Sequence, residues 1–265
     1  MKRLIINVWE KIFCKTYFYK WNKFLFLASS KGLGIDNSES IIQKSENSFL
    51  LNLFSNHSSK DKLIILDVGA NIGDFSTSIK NKHSNSEIFA FEPHPKTFLK
   101  LFKNAKENNF NAIQKGCSDY NGSIKFYDYN DTFGSEHATM LKGVFEGIHN
   151  TQPIEILVET ITIDSFLIEN KIEKVDLLKI DTEGFELSVL KGAIESINSR
   201  KINAIYFEFN SMNIYSRVFM SDFISLLPNF KLYRSVSNGL VPVDNKHKLL
   251  SEIFMFQNII AILQN

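Results

Sequence analysis

The chain is short of cysteine, has no surplus of either charge, and lacks a long apolar run or an internal repeat. Each absence excludes something. Its two cysteines, Cys14 and Cys117, form no C-x-x-C spacing. That removes a thiolate zinc site and leaves two reduced thiols. Thirty basic residues stand against 29 acidic ones, for a net charge of +1. The basic surplus that nucleic-acid binding needs is missing. In the opening stretch, Glu10, Lys11, Lys15, Lys20 and Lys23 interrupt every apolar run. No segment approaches the ~18 uncharged residues of a spanning helix, and no apolar signal region precedes a cleavage site. The expected location is therefore cytoplasmic.

What the chain does have is core-forming material. It is 44% hydrophobic and contains 24 phenylalanines among 265 residues, enough for one large domain or a domain with a short cap. Residues 1–54 read as a helical N-terminal cap on a main domain of residues 55–265. The alternative for the basic, apolar N-terminus is an interfacial helix in peripheral contact with a membrane. Its basic residues are scattered along the sequence and not confined to one face, which favours the cap.

Beyond the polar stretch from Ser55 to Lys62, strand and helix patterns alternate. Ile64 to Val68 reads as a buried strand, Ile72 to about Asn81 as a helix, and Ile88 to Glu92 as a second strand. Pro95 suits the first position of a helix running to about Asn108. "NAIQKGCSD" supplies a third strand, and Ser123 to Tyr129 alternates like a half-exposed one. Val175 to Asp181 and Asn203 to Asn210 are further buried strands, and "FKLYRSV" and "FMFQNIIAIL" close the sheet. This order predicts a three-layer α/β sandwich with a mostly parallel sheet and ligands at the carboxyl ends of the strands.

The first such end is "LDVGANIGDFS". A dinucleotide loop would place glycine where Asn71 stands between Gly69 and Gly73, so that a pyrophosphate could approach the backbone. Asp67 and Asp74 would also repel phosphate. A cationic ligand inverts that logic. S-adenosylmethionine carries a sulfonium and an ammonium, and an acid at the end of the first strand suits its amino group. Glu92, ending the second strand, is placed to take both ribose hydroxyls, and Ser118 and Asp119, ending the third, to meet an adenine edge. An NAD(P)-linked oxidoreductase is the rival enzyme. A non-catalytic glycan-binding or scaffold protein is the rival outside enzymology.

The stretches "KGLGI", "DVGANIG", "FEPHP", "GCSDYNG", "TITIDSF", "LLKIDTEGFELSVLKGA", "FEFN" and "EIFMFQNIIAI" run in the order found in FkbM-type methyltransferases, which this chain resembles over roughly residues 31 to 265. "KIDTEGFE" is the most specific, with the family's usual K-I-D-x-E-G-x-E positions filled by Lys179, Ile180, Asp181, Glu183, Gly184 and Glu186. The resemblance implies the class I, Rossmann-like methyltransferase fold, a seven-stranded sheet with its last strand antiparallel. It also implies O-methylation from S-adenosylmethionine, on a small-molecule or glycan hydroxyl. The segment around "FGSEHATMLKGVFEGIHN" resembles members acting on bacterial surface glycans.

Methyl transfer to a sugar hydroxyl calls for orientation and for a general base. Asp181 and Glu183 are candidates at the end of the fourth core strand, although Asp181 or Thr182 could instead cap the following helix. Glu208 and Asn210, ending the next strand, are candidates for base and for substrate contact. His137, in an irregular loop over the acceptor pocket, is the alternative base, and His149 a weaker substrate contact. His94 is expected only to shape the adenosine-side turn. Nothing in the pattern requires a metal, and it does not address oligomeric state.

Overall fold

The computed structural model describes residues 2–54, 62–129, 153–244 and 251–264. Three helices come first: α1 (Lys2–Phe13), α2 (Tyr19–Gly32) and α3 (Glu39–Phe54). The alternating part then opens with β1 (Ile64–Val68), α4 (Asp74–Lys82), β2 (Glu87–Phe91) and α5 (Pro95–Asn108). Pro95 takes the first position of α5 as expected, and His94 caps that helix by accepting from the Thr97 N–H at 3.4 Å. The α4 helix starts at Asp74, two residues later than the periodicity predicts. Gly69, Asn71 and Gly73 hold φ of 75°, 48° and 92°, a left-handed series that no helix can include.

The main sheet contains β3 (Asn111–Ile113), β7 (Val175–Ile180), β8 (Ile202–Phe209), β9 (Phe230–Val236), β10 (Gly239–Pro242) and β11 (Gln257–Leu263) besides the first two strands. Its order is β10-β9-β11-β8-β7-β1-β2-β3. β3, β2, β1, β7 and β8 pair in parallel, and β11 lies antiparallel between β8 and β9. This is the class I methyltransferase arrangement, with the last strand of the chain antiparallel. A β9–β10 hairpin adds an eighth strand at one edge.

The stretch expected as one third strand divides. A tight turn, with the Lys115 N–H donating to the Ile113 carbonyl at 3.0 Å, ends β3. The chain then enters β4 (Gly116–Cys117), which belongs to a separate three-stranded sheet with β5 (Gly122–Tyr129) and β6 (Pro153–Ile161), ordered β4-β6-β5.

Strand alternation sends neighbouring residues into two cores. On one face Leu66, Leu178, Ile205, Phe207 and Ile259 meet the helices Ile163–Glu169, Glu186–Lys191 and Met220–Leu226 through Phe166, Leu190 and Phe223. On the other, Ile65, Leu177, Ala204 and Ile260 meet α3, α4 and α5 through Phe49, Leu50, Ile79 and Leu101. Thus α3, from the N-terminal part, is built into the same layer as α4 and α5.

The turn after Glu186–Lys191 passes very close to the end of β4. A Cβ on Gly192 would lie 2.0 Å from the Ser118 carbonyl oxygen. Gly192 has an ordinary helical φ of −72°, so the constraint is steric and not conformational. We predict that Gly192→Ala forces these two backbones apart and costs ~1–3 kcal/mol, measured by urea denaturation. An unchanged midpoint would show the contact to be pliable.

Candidate active site

A cleft of about 430 Å³ opens at the carboxyl ends of β1 and β7. The glycine turn from Gly69 to Ile72 and the start of α4, with Asp74 and Phe75, form one side. Lys179 and Asp181 form the floor. The opposite wall comes from α3, through Gln43, Glu46, Asn47 and Leu50.

The floor follows from strand register. Asp67 on β1 lies directly beside Lys179 on β7. Both point to the α3 side, and Lys179 Nζ stands 3.3 Å from Asp67 Oδ1 and 3.3 Å from Asp181 Oδ2. Asp67 is fully buried, and its other oxygen accepts from Ser76 Oγ at 2.7 Å. Burial opposes a charge on Lys179, but Asp67, Asp181 and Glu46 outweigh it and raise the ammonium above its ordinary pKa. The Glu46 pKa is raised too, but here the cause is burial, which Lys179 only partly offsets. The Lys179 ammonium also lies 5.3 Å from the centre of the Phe75 ring.

The glycine turn is braced from β2. Glu92 accepts from the Asn71 N–H at 3.1 Å through one oxygen and from the His94 N–H at 2.8 Å through the other. The Asn71 amide is therefore already engaged and not bare for a phosphate. Burial raises Glu92 to about 7 despite those two bonds. Gly69 is irreplaceable at this point, since a Cβ there would meet the Asp181 carbonyl oxygen at 1.7 Å. Under Gly73 the space is filled by Leu101 and Phe110. His94 supports the same turn from below, with Nε2 3.3 Å from the buried Asp128 carboxylate.

The loop after β7 differs from the expected helix cap. Glu183 and Gly184 take left-handed φ of 56° and 99°, so the helix begins only at Glu186, and neither Asp181 nor Thr182 caps it. Instead the Thr182 N–H, the Thr182 hydroxyl and the Gly184 N–H all converge on Glu186 Oε1, at 3.0, 3.1 and 3.0 Å. Glu186 is buried, and desolvation raises it to about 7. Its role is to fold the loop that carries Asp181 and Glu183. Glu208 sits near these acids. Burial first, then Asp181, Glu183 and Glu186, raise its pKa well above the usual carboxylate range. Asn210 donates to Glu208 at 3.2 Å, and its carbonyl oxygen accepts from the Met212 N–H at 2.8 Å, at the start of the helix Met212–Ser216.

Of the residues singled out in the sequence, Gly69, Asn71 and Asp181 line the cleft. Asp67 lies under it, and Glu92 and Gly73 shape its turn. Ser118 and Asp119 lie at the end of β4, where the Ser118 and Ser188 hydroxyls donate to Asp119 Oδ1 at 3.0 and 2.9 Å. Burial works against the Asp119 charge, but these bonds outweigh it and lower its pKa. His137 and His149 lie outside the described residues. Sequence reading missed the α3 wall. Its signal is a stripe at helical spacing, Gln43, Glu46, Asn47 and Leu50, in which polar residues share a face with the core-facing Leu50.

A family model described as the methyltransferase FkbM domain matches residues 67–257. The chain is similar to Methyltransferase 1 of Beauveria bassiana, at 32% identity over 149 residues, which is 50% of this chain and 59% of that protein. It is 24% identical over 186 residues to the 2-O-methyltransferase NoeI of Sinorhizobium fredii, covering 67% and 76% of the two chains. To the hexuronic acid methyltransferase AglP of Haloferax volcanii it is 28% identical over 176 residues, covering 66% and 65%. The crystal structure of methyltransferase FkbM from Methylobacillus flagellatus aligns with a TM-score of 0.48 at 13% identity, over 76% of this chain and 44% of that one. The match thus spans less than two thirds of the fungal and haloarchaeal relatives.

Two predictions follow from this geometry. Lys179→Ala strands the buried Asp67 with Ser76 alone and should cost ~3–5 kcal/mol in urea denaturation. Asp181→Asn, at the half-exposed end of the same pair, should cost ~1 kcal/mol or less. Equal losses would mean the pair is not what anchors the floor. The second concerns pH. Glu186 ionises at 4.5 unfolded and at about 7 folded, so its contribution to stability is complete below 4.5 and lost as pH rises through about 7. Glu186→Gln removes that titration. Its stability relative to the parent should rise by ~3 kcal/mol across this window, and a constant difference would refute the assignment.

Proposed function

The chain belongs to the FkbM methyltransferase family, and from that premise we propose that it is an S-adenosylmethionine-dependent O-methyltransferase acting on a sugar hydroxyl. The observation that carries the cofactor assignment is the charge of the cleft. Its lining holds the carboxyl groups of Glu46, Asp74 and Asp181 against the single ammonium of Lys179, with Asp67 beneath. Such a site favours a ligand with a sulfonium and an ammonium and disfavours a pyrophosphate. The occupied Asn71 amide argues the same way.

When bound, S-adenosylmethionine supplies a methyl group already activated on sulfur. The chain's own residues hold and orient. In this reading the turn Gly69–Gly73 passes along the methionine part, Glu92 takes the ribose hydroxyls, and Ser118 and Asp119 lie toward the adenine. Ribose donors would favour the charged form of Glu92, offsetting the burial that raises it.

Asp181 is the proposed proton acceptor. It lines the cleft, and the Lys179 ammonium stands 3.3 Å from its Oδ2. Glu208, whose pKa burial raises well above the usual carboxylate range, suits hydrogen-bond donation to an acceptor oxygen more than proton abstraction. Glu183, two residues after Asp181, adds to the upward shift of Glu208. His137 stays the alternative base, and Asn210 and His149 the substrate contacts. Support for a sugar acceptor comes from the relatives named for 2-O-methylation and for hexuronic acid. A bacterial surface glycan or its precursor, met in the cytoplasm, is the finer form of this proposal. Residues 55–265 form the catalytic domain in this reading, with residues 1–54 as a helical part that supplies Glu46.

The test is titration calorimetry with S-adenosylhomocysteine and, separately, NADH, followed by labelled methyl transfer to hexuronic acid and neutral sugar acceptors. Binding of the first ligand alone, with label on a hydroxyl, is the expected result. Asp181→Asn should still bind S-adenosylhomocysteine while kcat falls by ~10²-fold or more. Preference for NADH would overturn the cofactor assignment, and unaltered kcat in the variant would move the base elsewhere.

A further inference from the structure

The N-terminal helices carry apolar surface that the mechanism does not use. From Lys2 to Ser29 no described side chain is buried. Ile6 is 63% exposed, Trp21 50% and Phe24 59%, and Leu4, Ile5, Val8, Trp9, Ile12, Tyr17, Tyr19 and Phe26 are exposed as well. A patch of this extent on a soluble domain marks an interaction site.

The helical register organises it. Along α1, Arg3, Asn7, Glu10 and Lys11 follow i, i+4, i+7, i+8 and share one face. Leu4, Ile5, Ile6, Val8, Trp9 and Ile12 occupy the remainder. Arg3 and Lys11 are therefore closer in space than along the sequence. The aromatic contacts of this part are internal, with Trp9 on Phe13 at 4.3 Å, Phe13 on Phe18 at 4.9 Å and Trp21 on Phe24 at 5.8 Å. Its C-terminal end is fixed to the body: Ile35 is fully buried, and the Asp36 N–H donates to the Phe256 carbonyl at 2.8 Å.

We propose that residues 2–33 form an interfacial anchor that seats on an anionic lipid bilayer. Charge selects this partner. Residues 1–33 hold seven basic residues and one acid, while the rest of the chain holds 23 and 28. The positive charge of a nearly neutral protein is thus concentrated on its apolar projection. Both tryptophans of the chain, Trp9 and Trp21, lie here, and indole and phenol rings settle at the headgroup level of a bilayer. Protein–protein interfaces are depleted in lysine, whereas at a bilayer Lys15, Lys20 and Lys23 can bury their stems and extend their ammonium groups to lipid phosphates. With 12 and 14 residues, α1 and α2 suit lying in the interface, and no helix among the described residues is long and apolar enough to cross a membrane.

The test exploits the tryptophans, whose emission reports on this anchor alone. The full chain is mixed with phosphatidylglycerol–phosphatidylcholine vesicles and with pure phosphatidylcholine vesicles. The expected result is co-sedimentation with the anionic vesicles only, a blue shift in emission on binding, and release by high salt. The double variant Lys20→Gln, Lys23→Gln should bind about thirtyfold more weakly, from about 1 kcal/mol for each basic residue at an anionic surface. Trp21→Ser with Phe24→Ser should lose binding while the circular dichroism melt stays unchanged. Equal binding to neutral vesicles would overturn the choice of an anionic surface. Blue-shifted emission without lipid would show that a second copy or another part of the chain already covers the face, and the proposal would fall.

Discussion

The pairing of Asp67 with Lys179 across neighbouring parallel strands sets the floor on which the cleft is built. Neither charge would be tolerable alone at that depth. Ser76 satisfies one oxygen of Asp67, and Asp181 and Glu46 approach the ammonium from the open side. A lysine held charged by three acids leaves the site with more negative than positive groups. That residual field, and not a single contact, is what the proposed cationic cofactor would meet. The loops then have to bring backbone to this floor without adding bulk, which is why Gly69 lies against the Asp181 carbonyl.

Buried carboxyl groups also organise the two loops. Glu92 ties the glycine turn to the end of β2, and Glu186 gathers the donors of the loop after β7. In both cases the donors are mainly backbone amides that would otherwise be unpaired near the sheet's end. The raised pKa of each acid is the cost of using a carboxylate for a structural task in a desolvated place. It also sets the buried Glu186 apart from the half-exposed Asp181, the proton acceptor of the proposed reading.

Much of this was legible in the sequence because it depends on local pattern. The alternation of apolar strands and helices gave the layer order, and Pro95 marked its helix start. The motifs around Asp67, Glu92 and Asp181 converge on the ends of β1, β2 and β7 because those ends lie side by side. Long-range relations were not legible. The register that sets Asp67 beside Lys179 depends on two strands more than a hundred residues apart. The helix expected to be capped by Asp181 or Thr182 starts later because Glu183 adopts a left-handed φ, which non-glycine residues seldom do. The division of the third strand between two sheets likewise follows from a turn at Ile113–Lys115 whose one sequence mark is the Gly116 that ends it.

The α3 wall has a consequence for how such enzymes diverge. Gln43, Glu46 and Asn47 lie upstream of the matched segment, which begins at Asp67. Two chains that agree throughout residues 67–257 can therefore differ along a whole side of the cleft. If the cleft is the ligand site proposed above, three helical positions outside the matched segment face whatever it holds, and agreement over residues 67–257 alone leaves that face unspecified.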